Sequence, residues 1–420
     1  MELGDAFRKP ARASGVVGGS SAGGPDRLSS QPDCLLHTIM SSLKARQAVQ
    51  TCVLSTRWRH LWRSVPCLDI DFDEFNKAPP SDDSSSSDDG TSDSDSDRWN
   101  DDPDDDDDDD DNIHNDWEHF TKYKDWEDFE DFAMTLIRRC NIAQLDSFRL
   151  HTDGSRAPEF GNRVAAGWLH RAMKYCTPDR ANQQGLSSGS WRLKRLHLCH
   201  VLLDDHFVKC VSSVCRSLED LELDNCSCEI QSITSQSLKT LVLKRCGWRN
   251  LSEIISPTLK TLVIDGGSNI GACVLVILAP SVVYLHLAMR VDYFSGGVSL
   301  NEVLGKEPKF QEFKNLRSLL LDRCDLSDDF KTLVFFLRSS PILEKLTLRC
   351  CEFLKYSNKK KGTPILNKTS SSELRGLDLL CENLKVEIIY NDGYGPHLMQ
   401  LLLRISVNLS KNNVKLTKVN

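Results

Sequence analysis

The chain has 420 residues, 40% of them hydrophobic, with a formal net charge of −8. That is enough apolar material for two or three cores and excludes a wholly disordered protein. The longest apolar run, Ala272 to Ala279, is far short of the roughly 20 residues that span a bilayer, and the first residues lack the apolar stretch of a signal peptide, so a soluble chain of the cytoplasm and/or nucleus is expected.

Residues 1–24 read as a disordered Gly/Ser leader. Next comes "PDCLLHTIMSSLKARQAVQTCVLSTRWRHLWRSV", Pro32 to Val65. Leu35, Leu36, Ile39, Met40 and Leu43 recur at helical spacing, with Pro32 suited to open the helix and Asp33 in its first turn. Ala48, Val49, Cys52 and Val53 repeat the spacing in a second helix, and Ser55 is a plausible N-cap for a third that carries Trp58, Leu61, Trp62 and Val65. Three helices in so short a segment are marginal as an isolated core. A partner is therefore expected.

Charge then separates sharply. Residues 82–131 hold 24 acidic and 3 basic side chains of the chain's 60 and 52, which leaves 36 acidic and 49 basic elsewhere. Self-repulsion and the lack of apolar residues predict a solvated, disordered acidic linker over 77–116. It lacks the glycine turn and fixed ligand spacing of a calcium loop. Beyond it, "WEDFEDFAMTLIRRC" (Trp126 to Cys140) places Phe129, Phe132, Ala133, Leu136 and Ile137 on one helical face, and is expected to cap the end of the following unit. Trp168 sits on another amphipathic helix and is read as core.

Residues 117–420 contain a repeated L-x-x-L-x-L pattern that begins at Leu145, Leu193, Leu218, Leu238, Leu259, Val282, Leu316, Leu343 and Leu374. Each unit predicts a short strand whose two central leucines point inward, with helical or irregular returns such as "DDHFVKCVSSVCR" and "DDFKTLVFFLRSSP" between them, a closing helix in "HLMQLLLRISVNL" and a last strand in "VKLTKV". Cys226, Cys246, Cys324 and Cys351 fall where the repeat turns, and are read as core filler. The 16 cysteines as a whole are read as reduced thiols, because no CxxC pair or partnering histidine motif suggests a metal site.

The run Asp26 to Asp71, with its "VLSTRWRHLWRSVP" ending, resembles the F-box of plant F-box/leucine-rich-repeat proteins, including FBD-like members. The likeness extends over the repeats. It implies an α/β architecture: a three-helix F-box at 25–72, the acidic linker, and an irregular leucine-rich-repeat solenoid with capping elements at both ends. It also implies that Pro32, Leu35, Leu36, Ile39, Leu43, Val49, Val53, Leu54, Trp58 and Trp62 contact a Skp-type adaptor, and through it a cullin-RING ubiquitin ligase, as the substrate-recognition subunit. The sequence departs from the family pattern at Gln31, Cys34 and Lys44, where leucine, a polar residue and proline are usual.

No phosphate-binding loop, nucleophile elbow or HExxH motif is present, so the chain is read as non-catalytic, without cofactor or metal. His197, His200 and His206 fall in different parts of one repeat and are read as inert. Alternation along each strand turns the residues that flank the central leucines outward, in rows that would hold a protein substrate. The candidates are Arg195, His197, Asp220, Glu222, Asp224, Lys244, Tyr284, His286, Lys345 and Arg349, with an acidic cluster of three beside a basic edge. Basic residues are scattered, which argues against nucleic acid; no membrane partner is expected either. The alternative is a leucine-rich-repeat interaction scaffold that recruits no ligase.

Overall fold

The computed structural model describes residues 28–75 (except 29), 110–152 (except 141), 161–176, 192–288 (except 249 and 270–273), 304, 313–326 (except 325), 331–351, 384–391, 399, 402–403 and 413–419. The leader, the acidic run as far as residue 109, the repeat at Leu374 and most of the expected closing helix lie outside these residues. No helix among the described residues is long and apolar enough to cross a membrane.

The architecture is mixed helix and sheet, built on one parallel sheet of 11 strands whose spatial order is their chain order. These strands are β1 (Cys67–Asp71), β2 (Ser147–His151), β3 (Arg195–Cys199), β4 (Asp220–Asp224), β5 (Thr240–Lys244), β6 (Thr261–Asp265), β7 (Tyr284–Ala288), β8 (Ser318–Asp322), β9 (Lys345–Arg349), β10 (Lys385–Tyr390) and β11 (Val414–Lys418). Register is constant, so the two inward positions form unbroken rows: Leu196, Leu221, Leu241, Leu262, Leu285, Leu319 and Leu346 in one, Leu198, Leu223, Leu243, Ile264, Leu287, Leu321 and Leu348 in the other. All are buried. At roughly 1.5–3 kcal/mol per buried aliphatic side chain, these rows are the main source of cohesion.

The turns after six of the strands are built the same way. His200, Asn225, Arg245, Gly266, Arg323 and Cys350 all have positive φ, and each donates its N–H to a carbonyl at the end of the next strand, the last one or, for Cys350, that of Ile389, at 2.7–3.0 Å. One or two residues later the chain dives inward. Cys226, Cys246 and Cys324 are buried, and with Cys351 they point their thiols at carbonyls of preceding strands, 3.3–3.4 Å away. Burial pushes the Cys226 and Cys351 thiols well above their ordinary pKa, as expected of filler rather than nucleophiles.

The returns are more varied than their sequence suggests. Helices α5 (Asp205–Val214) and α6 (Lys331–Ser339), numbered after the four described below, fall where expected. Between residues 202 and 278, however, two small parallel sheets also back the main one: Leu202–Leu203, Ser227–Cys228, Gly247–Trp248 and Ser268–Asn269 in one, and Ser232–Thr234, Glu253–Ile255 and Val276–Leu278 in the other.

In the N-terminal segment, α1 (Asp33–Met40) and α2 (Ala45–Gln50) are followed by 3-10 turns at Thr51–Val53 and Trp58–Ser64. The expected third α-helix is thus a 3-10 stretch, and Arg57, without a side-chain cap, stands at its N-cap position in place of Ser55. A seven-residue piece with two large indoles to bury gains more from seating Trp58 and Trp62 than from ideal helical bonds. Helix α3 (Asp110–Arg139) begins well before Trp126 and includes residues 110–116, the tail of the expected linker. Helix α4 (Gly161–Cys176) carries Trp168, which is buried and stacks on Trp126 at 6.0 Å, with Phe129 edge-on at 5.5 Å.

Residues 67–71 are the chief surprise. The segment read as the end of the F-box supplies β1, which pairs with β2 from Cys67↔Ser147 to Asp71↔His151. The edge that helix α3 was expected to cap is therefore covered by a strand, and one continuous core runs from Leu36 to Leu402.

Candidate functional site

The ten residues singled out in the N-terminal segment divide by burial. Leu36, Val49, Trp58 and Trp62 are buried in the chain's own core and Leu43 is half-buried, so their first task is packing and they offer little or no contact surface. Pro32 is exposed, and so are Leu35 (49%), Ile39 (43%), Val53 (72%) and Leu54 (58%). With Leu28, also exposed, these make an apolar surface on a segment whose other hydrophobic residues turn inward. Arg57 and Asp33 form an ion pair at 2.6 Å beside it.

A buried charge joins this segment to the sheet. Asp71, on β1, accepts from the His151 imidazole at 2.9 Å and from the Asp73 backbone N–H at 3.0 Å, and pairs with Lys44 at 2.5 Å. Burial alone would raise the Asp71 pKa, but the hydrogen bonds from His151 and Lys44 outweigh it and hold the carboxyl well below its usual range. The same bond to Asp71 pushes His151 up to about 10. Lys44, where the resembled family has proline, is therefore part of the anchor between α2 and the sheet. Arg46 adds to it, lying over the Phe75 ring at 4.4 Å and donating to the Glu74 backbone carbonyl.

On the outer face of the sheet the predicted rows exist. Arg195, Asp220, Thr240, Thr261, Tyr284, Ser318, Lys345 and Lys385 share one; His197, Glu222, Val242, Val263, His286, Leu320, Thr347 and Glu387 the next; Asp224, Lys244 and Asp265, then Asp322 and Arg349, belong to the third. Their charges differ from the expected acidic cluster. Glu222 is paired with Lys244 at 2.6 Å, and Asp224 takes a forked contact from Arg245 at 2.8 and 2.9 Å. Strand spacing brings the next repeat's cations over two of the three acids, a cross-strand neighbourhood that sequence order hides. Burial lowers the pKa of His197 and His286, so both are neutral near pH 7. The middle row is thus apolar at its centre, through half-buried Val242, Val263 and Leu320, and charged toward its ends.

A rim feature went unread. Lys194, Lys239 and Lys260 each immediately precede a strand, and with Arg216 they line a groove of about 590 Å³ that also holds Glu219, Ser237 and Thr258. Lysine at the position before β3, β5 and β6 was the available signal. Among the described residues, two clusters group histidine with carboxylate: Asp71, Asp73 and His151, and His170, Asp204 and His206.

No family model matches the chain. It is 27% identical to the MEIOTIC F-BOX protein MOF of Oryza sativa subsp. japonica, over 89% of this chain and 82% of that protein. Shorter matches reach 56% identity over 55 residues with an F-box/FBD/LRR-repeat protein of Arabidopsis thaliana and 50% over 54 residues with its F-box/LRR-repeat protein 13, each spanning 12% of the relative's length. With its repeated parallel strands and these relatives, the chain is similar to the plant F-box/leucine-rich-repeat proteins.

Proposed function

We propose that the chain is a non-catalytic substrate receptor of a Skp-cullin-F-box ubiquitin ligase, acting in the cytoplasm or nucleus. Residues 25–72 are read as its F-box, whose closing strand at Cys67–Asp71 pairs with the leucine-rich-repeat solenoid of residues 117–420. The observation that carries the reading is the exposed apolar set Pro32, Leu35, Ile39, Val53 and Leu54 on a segment that buries Leu36, Met40, Val49, Trp58 and Trp62. A solvated patch of this kind suits a hydrophobic partner surface, and the relatives' names point to the same class. The outer sheet face, apolar at the centre and charged at the ends, suits a protein segment of mixed character. Holding that segment near the ligase raises its effective concentration without any chemistry by this chain.

The test uses the purified full-length chain and a Skp-type adaptor. Wild type should bind, whereas Leu35→Asp with Val53→Asp should lose binding and keep its melting temperature, because both side chains already face solvent. No binding by wild type at about 50 µM, a bound of only some 6 kcal/mol, would replace the receptor with an interaction scaffold.

A further inference from the structure

We propose that His170, Asp204 and His206 form a binding site for a borderline divalent transition ion of the zinc class. The three come from two rigid elements. His170 lies on α4, and Asp204 and His206 sit at the start of α5. His170 Nε2 is 3.2 Å from Asp204 Oδ1, the two imidazole rings meet at 4.6 Å between centroids, and one donor atom from each residue lies within 4.8 Å of the others. Donors around a tetrahedral ion with bonds of about 2.0–2.1 Å stand roughly 3.3 Å apart. One pair is already at that separation, and His206, exposed on the surface, can close the remainder by a side-chain rotation.

The supports are in place. Asp204 is fixed by the Phe207 backbone N–H at 2.9 Å, and the Phe207 ring is buried. Helix α4 is held by buried Ala165, Trp168 and Leu169. Such outer contacts orient ligands and raise affinity. Two imidazoles and one carboxylate favour zinc, cobalt or nickel over calcium or magnesium, which take oxygen donors. The other histidine-carboxylate cluster lacks this capacity, because the Lys44 ammonium already sits 2.5 Å from Asp71 and supplies the cation. An ion at His170 would tie α4, stacked through Trp168 on Trp126, to α5, the next helical return.

The experiment titrates cobalt(II) into the chelator-treated full-length chain, under a phosphine reductant, and follows visible absorption. One equivalent should bind saturably, with ligand-field bands and without the near-ultraviolet charge transfer of thiolate ligation, and zinc should displace it. His206→Asn and His170→Asn should each weaken uptake by roughly tenfold or more, with near-ultraviolet circular dichroism unchanged; His206→Asn alters an exposed side chain, so it tests the site even if His170→Asn disturbs folding. Three results overturn the proposal: no saturable uptake below about 1 mM, a bound of some 4 kcal/mol, equal uptake by the double variant, or a thiolate charge-transfer band.

Discussion

Replacing Asp71 with asparagine keeps its shape and removes its charge, which leaves His151 and Lys44 without their shared counter-ion. At 2.9 Å the pairwise attraction to His151 is about 6 kcal/mol at an effective dielectric of ~20, and desolvation of the three groups offsets much of it. Asp71 is 8% exposed, but His151 and Lys44 reach water at 24% and 39%, so the expected net loss is about 2–3 kcal/mol rather than the ~3–5 of a fully buried pair. The pH dependence is specific. His151, raised to about 10, contributes stability that is complete below its ordinary ~6.5 and is lost as pH rises through 10. Asp71, depressed, contributes above its ordinary ~3.9 and loses that contribution as pH falls through its lowered value. The difference between wild type and Asp71→Asn should therefore be largest near pH 5–6 and shrink by more than half by pH 9.5, without vanishing, because Lys44 stays charged. Urea unfolding at pH 6 and pH 9.5 measures it. A gap that is equal at the two pH values, or below about 0.5 kcal/mol at pH 6, refutes the anchor.

Trp62→Ala should cost about 3–5 kcal/mol in urea unfolding, because the indole is buried in the chain's own core. Gly267 has φ +106°, and a Cβ there would lie 2.1 Å from the Cys246 carbonyl oxygen, so Gly267→Ala should destabilise by roughly 2 kcal/mol or more; an unchanged urea midpoint would contradict that geometry. Under native conditions iodoacetamide should label exposed Cys34 and spare Cys226, Cys246 and Cys324 until the chain unfolds, which mass spectrometry of labelled peptides resolves. Cys140, its thiol pushed up to about 12 by burial, should also react slowly.

What the sequence made legible was whatever repeats. Period two with leucine at fixed offsets specifies which side chains share a row, and Arg195, Asp220, Tyr284 and Lys345 stand in the row their spacing implies. What it hid lies across the period. Leu35 and Leu36 are adjacent apolar residues on one helical stripe, and nothing in the spacing says that Leu36 is buried while Leu35 faces water. The strand at Cys67–Asp71 carries the spacing of the repeat in Val65, Leu68 and Ile70 but follows the helical segment directly, whereas two-residue strands such as Gly247–Trp248 are too short to declare a period. The acidic start of α3 carries no apolar stripe, so its helix was read as linker. His170 and Asp204 meet across 34 residues, which no local motif spans.

Because β1 belongs to the N-terminal segment, a break in the chain between residues 76 and 109 would not yield two clean modules. The fragment beginning at α3 would present β2 with an unpaired row of N–H and C=O groups, and the shorter fragment would present β1 in the same condition. Raw parallel edges of this kind seek strands. The two pieces should therefore reassociate through the Cys67↔Ser147 to Asp71↔His151 register, and each alone should be prone to aggregate. The first five residues of the sheet thus act as its edge protection, so a shortened chain made for crystallisation or labelling should retain Cys67 to Phe75 even where the preceding helices are dispensable.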